Sequence, residues 1–276
     1  MKLVSIIIPT YNRASILPET IKSVVAQTHS NWELIIVDDG SSDDTKAVVE
    51  GFKNKQIFYY YKENEGQHIA RNYGMQLAHG ELIGYLDSDN LLYSNYLERM
   101  VEAFTKNPHV IWGFPMGDRI KELYKDGVLI KRVDDSDDFP EDVSVQAIFH
   151  RKLHTDTSGA MHTRRIIEDG VTWDPAIKKM EDWDFFLTLA DKYPEGFIYV
   201  REKLYTYTQR YGGDGLVSNS TYREWAELFE KIYQKHKHSH LMEGQTWYPS
   251  RVEKWNKLAD DFDAGLLPPY HEYYFR

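Results

Sequence analysis

The sequence predicts an α/β fold built on a mostly parallel sheet with helices on its faces. Three observations carry this. Short apolar runs rich in β-branched residues alternate with segments of helical periodicity between Leu3 and Phe104, the rhythm of βαβ units. The runs are continuous rather than alternating, as strands buried on both faces are. Two of them stop abruptly in acid, "WELIIVDD" at Asp38 and Asp39 and "GELIGYLDSDN" at Asp87 and Asp89. Like charges that close repel, and water would solvate them better than protein, so something positive is expected beside them. Ligands of open α/β sheets bind beyond the carboxyl ends of the strands, where these four acids fall.

In chain order, Leu3–Ile8 reads as the first strand, and Leu17, Ile21, Val24 and Val25 recur at helical spacing. Trp32 to Val37 is the second strand, and "SSDDTKAVVEGF" places cap residues before a short helix. "QIFYYYKE" is a third strand. "GQHIARNYGMQLAHG" puts Ile69, Ala70, Tyr73 and Leu77 on one helical face, with Gly80 as its C-cap and Arg71 off the stripe. "ELIGYLD" is the fourth strand, and Leu97, Met100, Val101 and Phe104 mark the next helix.

After about residue 106 the rhythm changes. "LYKDGVLIKRV" reads as a hairpin around Asp126-Gly127, 134–142 as a solvated acidic loop, and "EDWDFFLTLADKY" as a helix that begins in acid. The glycines of "RYGGDGLVSNS", 210–220, suggest a lid over a bound ligand, and Ser220 is a cap for a helix with the stripe Trp225, Leu228, Phe229 and Ile232. His236, His238 and His240 alternate in a basic run that reads as a frayed, solvated helix end. Trp247, Trp255 and "YHEYYF" follow. These shifts divide the chain into 1–105, 106–215 and a helical, aromatic-rich extension, 216–276.

Composition bounds the function. The chain has 276 residues, 42% of them hydrophobic, enough for a sizeable core. With 33 Lys+Arg against 43 Asp+Glu the net charge is −10, which argues against a general nucleic-acid binder. The absence of cysteine excludes a disulfide framework and a thiolate-held zinc. No apolar run reaches the roughly 18 residues that span a bilayer, and Pro9 interrupts the N-terminal run early, so a cytoplasmic protein is expected.

Asp87 and Asp89 have a plain reading as an exposed turn after a strand. The sharper one is a divalent cation site, because Mg2+ and Mn2+ take oxygen ligands and often use one or two carboxylates plus a substrate's phosphates. "MEDWD" offers Glu181, Asp182 and Asp184; helix capping is the plain reading there, since acids suit the start of a helix. Arg164 and Arg165 are candidate contacts to a diphosphate or an anionic acceptor, against an ordinary surface pair.

The segments "VSIIIPTYNRASILPETIKSVVAQTHSNWELIIVDDGSSDDT", "NEGQHIARNYGMQLAHGELIGYLDSDN" and "SGAMHTRRIIEDGVTWDPAIKKMEDWDFFLTLA" resemble, in order over roughly residues 3–190, the family 2 glycosyltransferases. These are inverting nucleotide-sugar enzymes with a GT-A, Rossmann-like α/β fold. The resemblance makes 1–105 the nucleotide-sugar half and 106–215 the acceptor half of one GT-A domain. It implies that Pro9, Thr10, Tyr11, Asp39, Arg71 and Asp87 bind the nucleotide and that Asp89 holds Mn2+ or Mg2+. It makes Asp182 the catalytic base, with Glu181 the second choice. "DSDN" has Asn90 where a third acid is frequent in the family.

The activity implied is metal-dependent transfer of one sugar, from a nucleoside-diphosphate-sugar (UDP-sugar favoured) to a glycan or lipid-linked acceptor. Bacterial-type surface polysaccharide or glycoconjugate synthesis is the setting. A processive synthase is disfavoured, since the sequence has no Q-x-x-R-W motif. Two alternatives are a sugar nucleotidyltransferase and a non-catalytic nucleotide-sugar-binding assembly subunit. The basic run and aromatics of the extension allow a peripheral contact at the inner face of the membrane, against plain packing of those aromatics onto the domain.

Overall fold

Continuous apolar character places β1 (Val4–Thr10) inside a sheet, between β2 (Trp32–Asp39) and β4 (Leu82–Tyr85), both parallel to it. β3 (Ile57–Lys62) adds outside β2. This computed structural model describes residues 1–125, 128–150, 153, 156–211, 221–243 and 247–267, with 247–251 as helical backbone alone. Beyond β4 the direction reverses at β8 (Met161–Thr163). Then come β6 (Trp112–Lys125), β9 (Phe197–Tyr211) parallel to it, and the short β5 (Leu91–Leu92). The order is β3-β2-β1-β4-β8-β6-β9-β5, and β7 (Val128–Asp134) pairs with β6 as the arm of a hairpin whose tip, 126–127, lies outside the described residues.

Both faces of the parallel part are covered, as the unbroken apolar strands require. Ile6, Ile8, Leu34 and Ile36 pack with α1 (Leu17–Val25) and α4 (Tyr96–Lys106). Ile7, Ile35 and Val37 pack with α3 (Gln67–Leu77) and with Phe185 of α7 (Glu181–Lys192). The shorter helices α2 (Thr45–Glu50), α5 (Val145–Phe149) and α6 (Arg165–Glu168) fill the connections. Register sets the rim: Thr10 pairs with Asp38 and Ile7 with Tyr85, so Asp87 comes level with Pro9.

Gly80 is not the cap of α3. That helix closes on Ala78, and Gly80 instead lies where a Cβ would stand 2.6 Å from the Ser5 nitrogen.

In the extension, Thr221 and Glu224 form a capping box at the start of α8 (Tyr222–His236); Ser220 lies outside the described residues. Tyr222, Phe229 and Ile232 are buried, and Trp255 of α9 (Trp247–Asp263) stacks on Phe229 with ring centroids 5.9 Å apart. His236 is not a frayed end: it is buried, with Nε2 2.8 Å from Asp184 Oδ1. Lys235 donates to Asp184 Oδ2 at 2.7 Å, so α8 is pinned to α7. Among the described residues no helix is long and apolar enough to cross a membrane.

Candidate functional site

The carboxyl ends of β1, β2 and β4 form one rim. Pro9 and Thr10 are buried there, the Thr10 hydroxyl without a hydrogen-bond partner, and Tyr11 is 49% exposed. The chain turns away after β2 at Gly40, whose φ of +90° favours glycine. Asp38 accepts from the Ser41 amide (2.7 Å) and the Tyr59 hydroxyl (2.6 Å). Asp39 accepts from Lys62 Nζ (2.8 Å) and from the amides of Glu65 (3.1 Å) and Gly66 (2.7 Å). It thereby ties β2 to the turn that opens α3.

Arg71 is the centre of the site and is 1% exposed. Its guanidinium lies 4.8 Å from the Trp173 ring centroid, donates through Nη2 to Asp87 (2.7 Å) and through Nη1 to Glu181 (3.0 Å). Burial works against its charge, but the Asp87 and Glu181 carboxylates outweigh it and raise its proton affinity. Gln67 also donates to Glu181. An acid at a strand end and an acid at the start of α7 are thus joined through one buried cation.

Asp89 receives Arg210 Nη1 at 2.5 Å. Burial, with Asp87 adding to it, pushes its carboxyl up to about 6 in spite of that arginine. Asn90 answers why the third acid of the motif is absent. Its Nδ2 donates to Ser158 Oγ (2.7 Å) and its Oδ1 accepts from the Thr208 amide (2.8 Å), a donor–acceptor pair that a carboxylate lacks. Ser158 Oγ also accepts from the Asp87 amide at 3.0 Å. Asp156 stands on the same turn, buried, and accepts from the Ser158 amide at 2.7 Å. Burial, then Asp87 and Asp182, hold its carboxyl well above the usual carboxylate range.

Helix α7 starts from a left-handed residue, Met180 at φ 54°, a conformation that costs a non-glycine residue about 1 kcal/mol or more. Glu181 is buried against Arg71, Asp182 is half-buried with Oδ1 accepting from the Trp183 amide (2.7 Å), and Asp184 points back to α8.

The structure brings together Pro9, Thr10, Asp39, Arg71, Asp87, Asp89, Glu181 and Asp182. It does not bring Arg164 or Arg165 to them. β8 runs against β4, pairing Thr163 with Leu82, so both arginines lie past the opposite end of the sheet. There Arg164 donates to the carbonyls of Ala78 and Gly80, and Arg165 meets Asp169 at 3.4 Å. Missed by sequence reading were Asp156, Arg210 and Trp173, none of which carries a local signal. Of the Gly-rich stretch, 212–220 lie outside the described residues, while Arg210 and Tyr211 close β9.

Residues 5–130 match the family described as Glycosyl transferase family 2. The chain is 41% identical over 106 residues to the Escherichia coli UDP-Glc:alpha-D-GlcNAc-diphosphoundecaprenol beta-1,3-glucosyltransferase WfgD, a stretch that is 38% of this chain and 42% of that protein. It spans under half the length of such relatives, only 17% of a Rickettsia conorii glycosyltransferase. Among solved structures, Staphylococcus aureus TarS in complex with UDP-GlcNAc superposes with a TM-score of 0.67 at 19% identity, over 92% of this chain and 70% of that one. The mannosyltransferase PcManGT of Pyrobaculum calidifontis, in complex with GDP-Man and Mn2+, gives 0.57 at 18% identity, over 96% and 76%. Residues 5–130 thus resemble the family 2 glycosyltransferases, and the sheet with its flanking helices has the GT-A fold of these neighbours.

Proposed function

We propose that the protein transfers one sugar, with inversion, from a UDP-sugar to a glycan or lipid-linked acceptor in glycoconjugate synthesis. The observation that carries this is the Arg71 bridge, 2.7 Å to Asp87 and 3.0 Å to Glu181. It fixes the nucleotide-side strand end and the start of α7 at one distance, as a reaction between two bound substrates needs. On this reading 1–105 holds the donor, 106–215 the acceptor, and 216–276 braces α7 through Asp184. Tyr11 stacks on the base, and Pro9, Thr10, Asp39, Arg71 and Asp87 line the nucleotide. UDP follows TarS and the donor named for WfgD.

The donor set at the rim fits Mg2+ or Mn2+. It consists of hard carboxylate oxygens, those of Asp87 and Asp89 close enough to repel each other. That suits a cation held by Asp89, with Asp87 beside it, and completed by the donor's phosphates. When bound, such a cation neutralises the leaving diphosphate. Glu181 bonds Arg71 and Gln67; on the family resemblance Asp182 takes the acceptor hydroxyl's proton as that oxygen attacks the anomeric carbon from the side opposite the diphosphate.

Asp182→Asn keeps the shape and loses the proton acceptor. Transfer should fall by about 10²–10⁴-fold with donor affinity and melting temperature retained, measured as nucleoside diphosphate released from a panel of nucleotide sugars. Near-normal turnover in a folded variant moves the base elsewhere.

A further inference from the structure

We propose that Arg210 is the resident counter-cation of Asp89, and that it yields this carboxylate to the divalent cation by shifting onto Glu122. The inference rests on the metal reading above and adds a competitor to it. Arg210 Nη1 sits 2.5 Å from Asp89 Oδ2, while its Nε lies 3.4 Å from Glu122 Oε2. The three side chains are 13%, 22% and 6% exposed, so the cation is held between two poorly hydrated carboxylates.

The two seats differ. Asp89 shares its surroundings with Asp87, so a cation there relieves repulsion within the rim. Glu122 already accepts from Tyr124 (2.9 Å) and Arg132 (3.1 Å) and is balanced without Arg210. A guanidinium that leaves Asp89 therefore still has a carboxylate partner. A divalent ion binds a carboxylate oxygen at about 2.1 Å, a position from which a guanidinium on the same oxygen is repelled. Arg210 and the metal ion thus compete for Asp89, and the strength of the second seat sets how readily Arg210 gives way.

The test is Mn2+ binding to the full chain without nucleotide, followed by the electron-spin signal of free Mn2+. Arg210→Met should tighten Mn2+ binding by about tenfold, or roughly 1.4 kcal/mol. Glu122→Gln should weaken it, because Arg210 then has one charged seat and keeps to Asp89. Arg210→Gln, which also removes the charge, should tighten binding likewise and serves if the methionine variant folds poorly, while Arg210→Lys, which retains it, should stay near wild type. Asp89→Asn should abolish binding in every background. Equal or weaker binding in Arg210→Met, with Asp89→Asn still abolishing it, overturns the competition and leaves the metal reading standing. Absence of Mn2+ binding in all of these proteins, with and without UDP, overturns both.

Discussion

The two ends of the same sheet bury charge in opposite ways. At the amino ends of the strands, Glu33 is 8% exposed and accepts from the Ser5 hydroxyl (2.5 Å) and the His79 amide (2.6 Å), with the His79 ring at 3.3 Å. Ser5 in turn accepts from the Gly80 amide at 2.8 Å, and Arg164 closes the carbonyls of Ala78 and Gly80. Those groups answer fixed backbone neighbours, and the network is complete within the chain. At the carboxyl ends, Asp87, Asp89, Asp156 and Glu181 meet two arginines and one another. A buried charge alone does not mark a site. What sets the rim apart is carboxylates gathered close to each other, with Arg71 and Arg210 shared among them.

The sharpest way to break this contrast is to remove one buried charge from each end. Arg71→Met leaves Glu181 and Asp87 without their shared partner and should cost about 3–5 kcal/mol of stability, with transfer lost in whatever remains folded. Denaturant midpoints and turnover per folded molecule check it. A loss below about 1 kcal/mol would place Arg71 among ordinary surface ion pairs. Glu33→Gln, at the far end, should cost less, about 1–3 kcal/mol for disturbed buried hydrogen bonds, and leave turnover per folded molecule unchanged. A turnover loss there would mean that the two ends are coupled.

Sequence reading reached one end far better than the other features of the site. The acids at Asp38, Asp39, Asp87 and Asp89 were legible because an apolar strand that ends in charge is a local event in the chain. Arg71 was named through the family resemblance, but its place off the apolar stripe suggested a solvated side chain, and it is 1% exposed. Local periodicity reports one face of a helix. Here α3 is covered on a second side by Trp173 and α7, and these come from far along the chain. His236 misled for the same reason, since its partner Asp184 lies in another helix. Asp156 and Arg210 sit in a polar turn and at a strand end, where nothing nearby announces the acids they meet.

The smallest effect separates the rim from the sheet interior by pH. His162 of β8 is buried; its Nδ1 donates to the Thr163 carbonyl (2.8 Å) and its Nε2 accepts the Tyr85 hydroxyl (2.7 Å). Burial lowers it from 6.5 to about 4, so between those values the unfolded chain takes up the proton first and stability falls as pH falls. Asp89 is raised from 3.8 to about 6, so across its window the folded chain holds the proton and stability rises as pH falls. At about 1.4 kcal/mol per unit, going from pH 6.5 to pH 5 costs about 2 kcal/mol through His162 and returns about 1 through Asp89. Groups common to all the proteins, His68 and Asp156 among them, cancel in a comparison with wild type. Over that interval Asp89→Asn should therefore lose about 1 kcal/mol more stability than wild type, and His162→Gln about 2 kcal/mol less. Denaturation curves at the two pH values measure both differences. The same sign in both variants would show that the two groups do not titrate against each other, and that the rim is no less satisfied than the interior behind it.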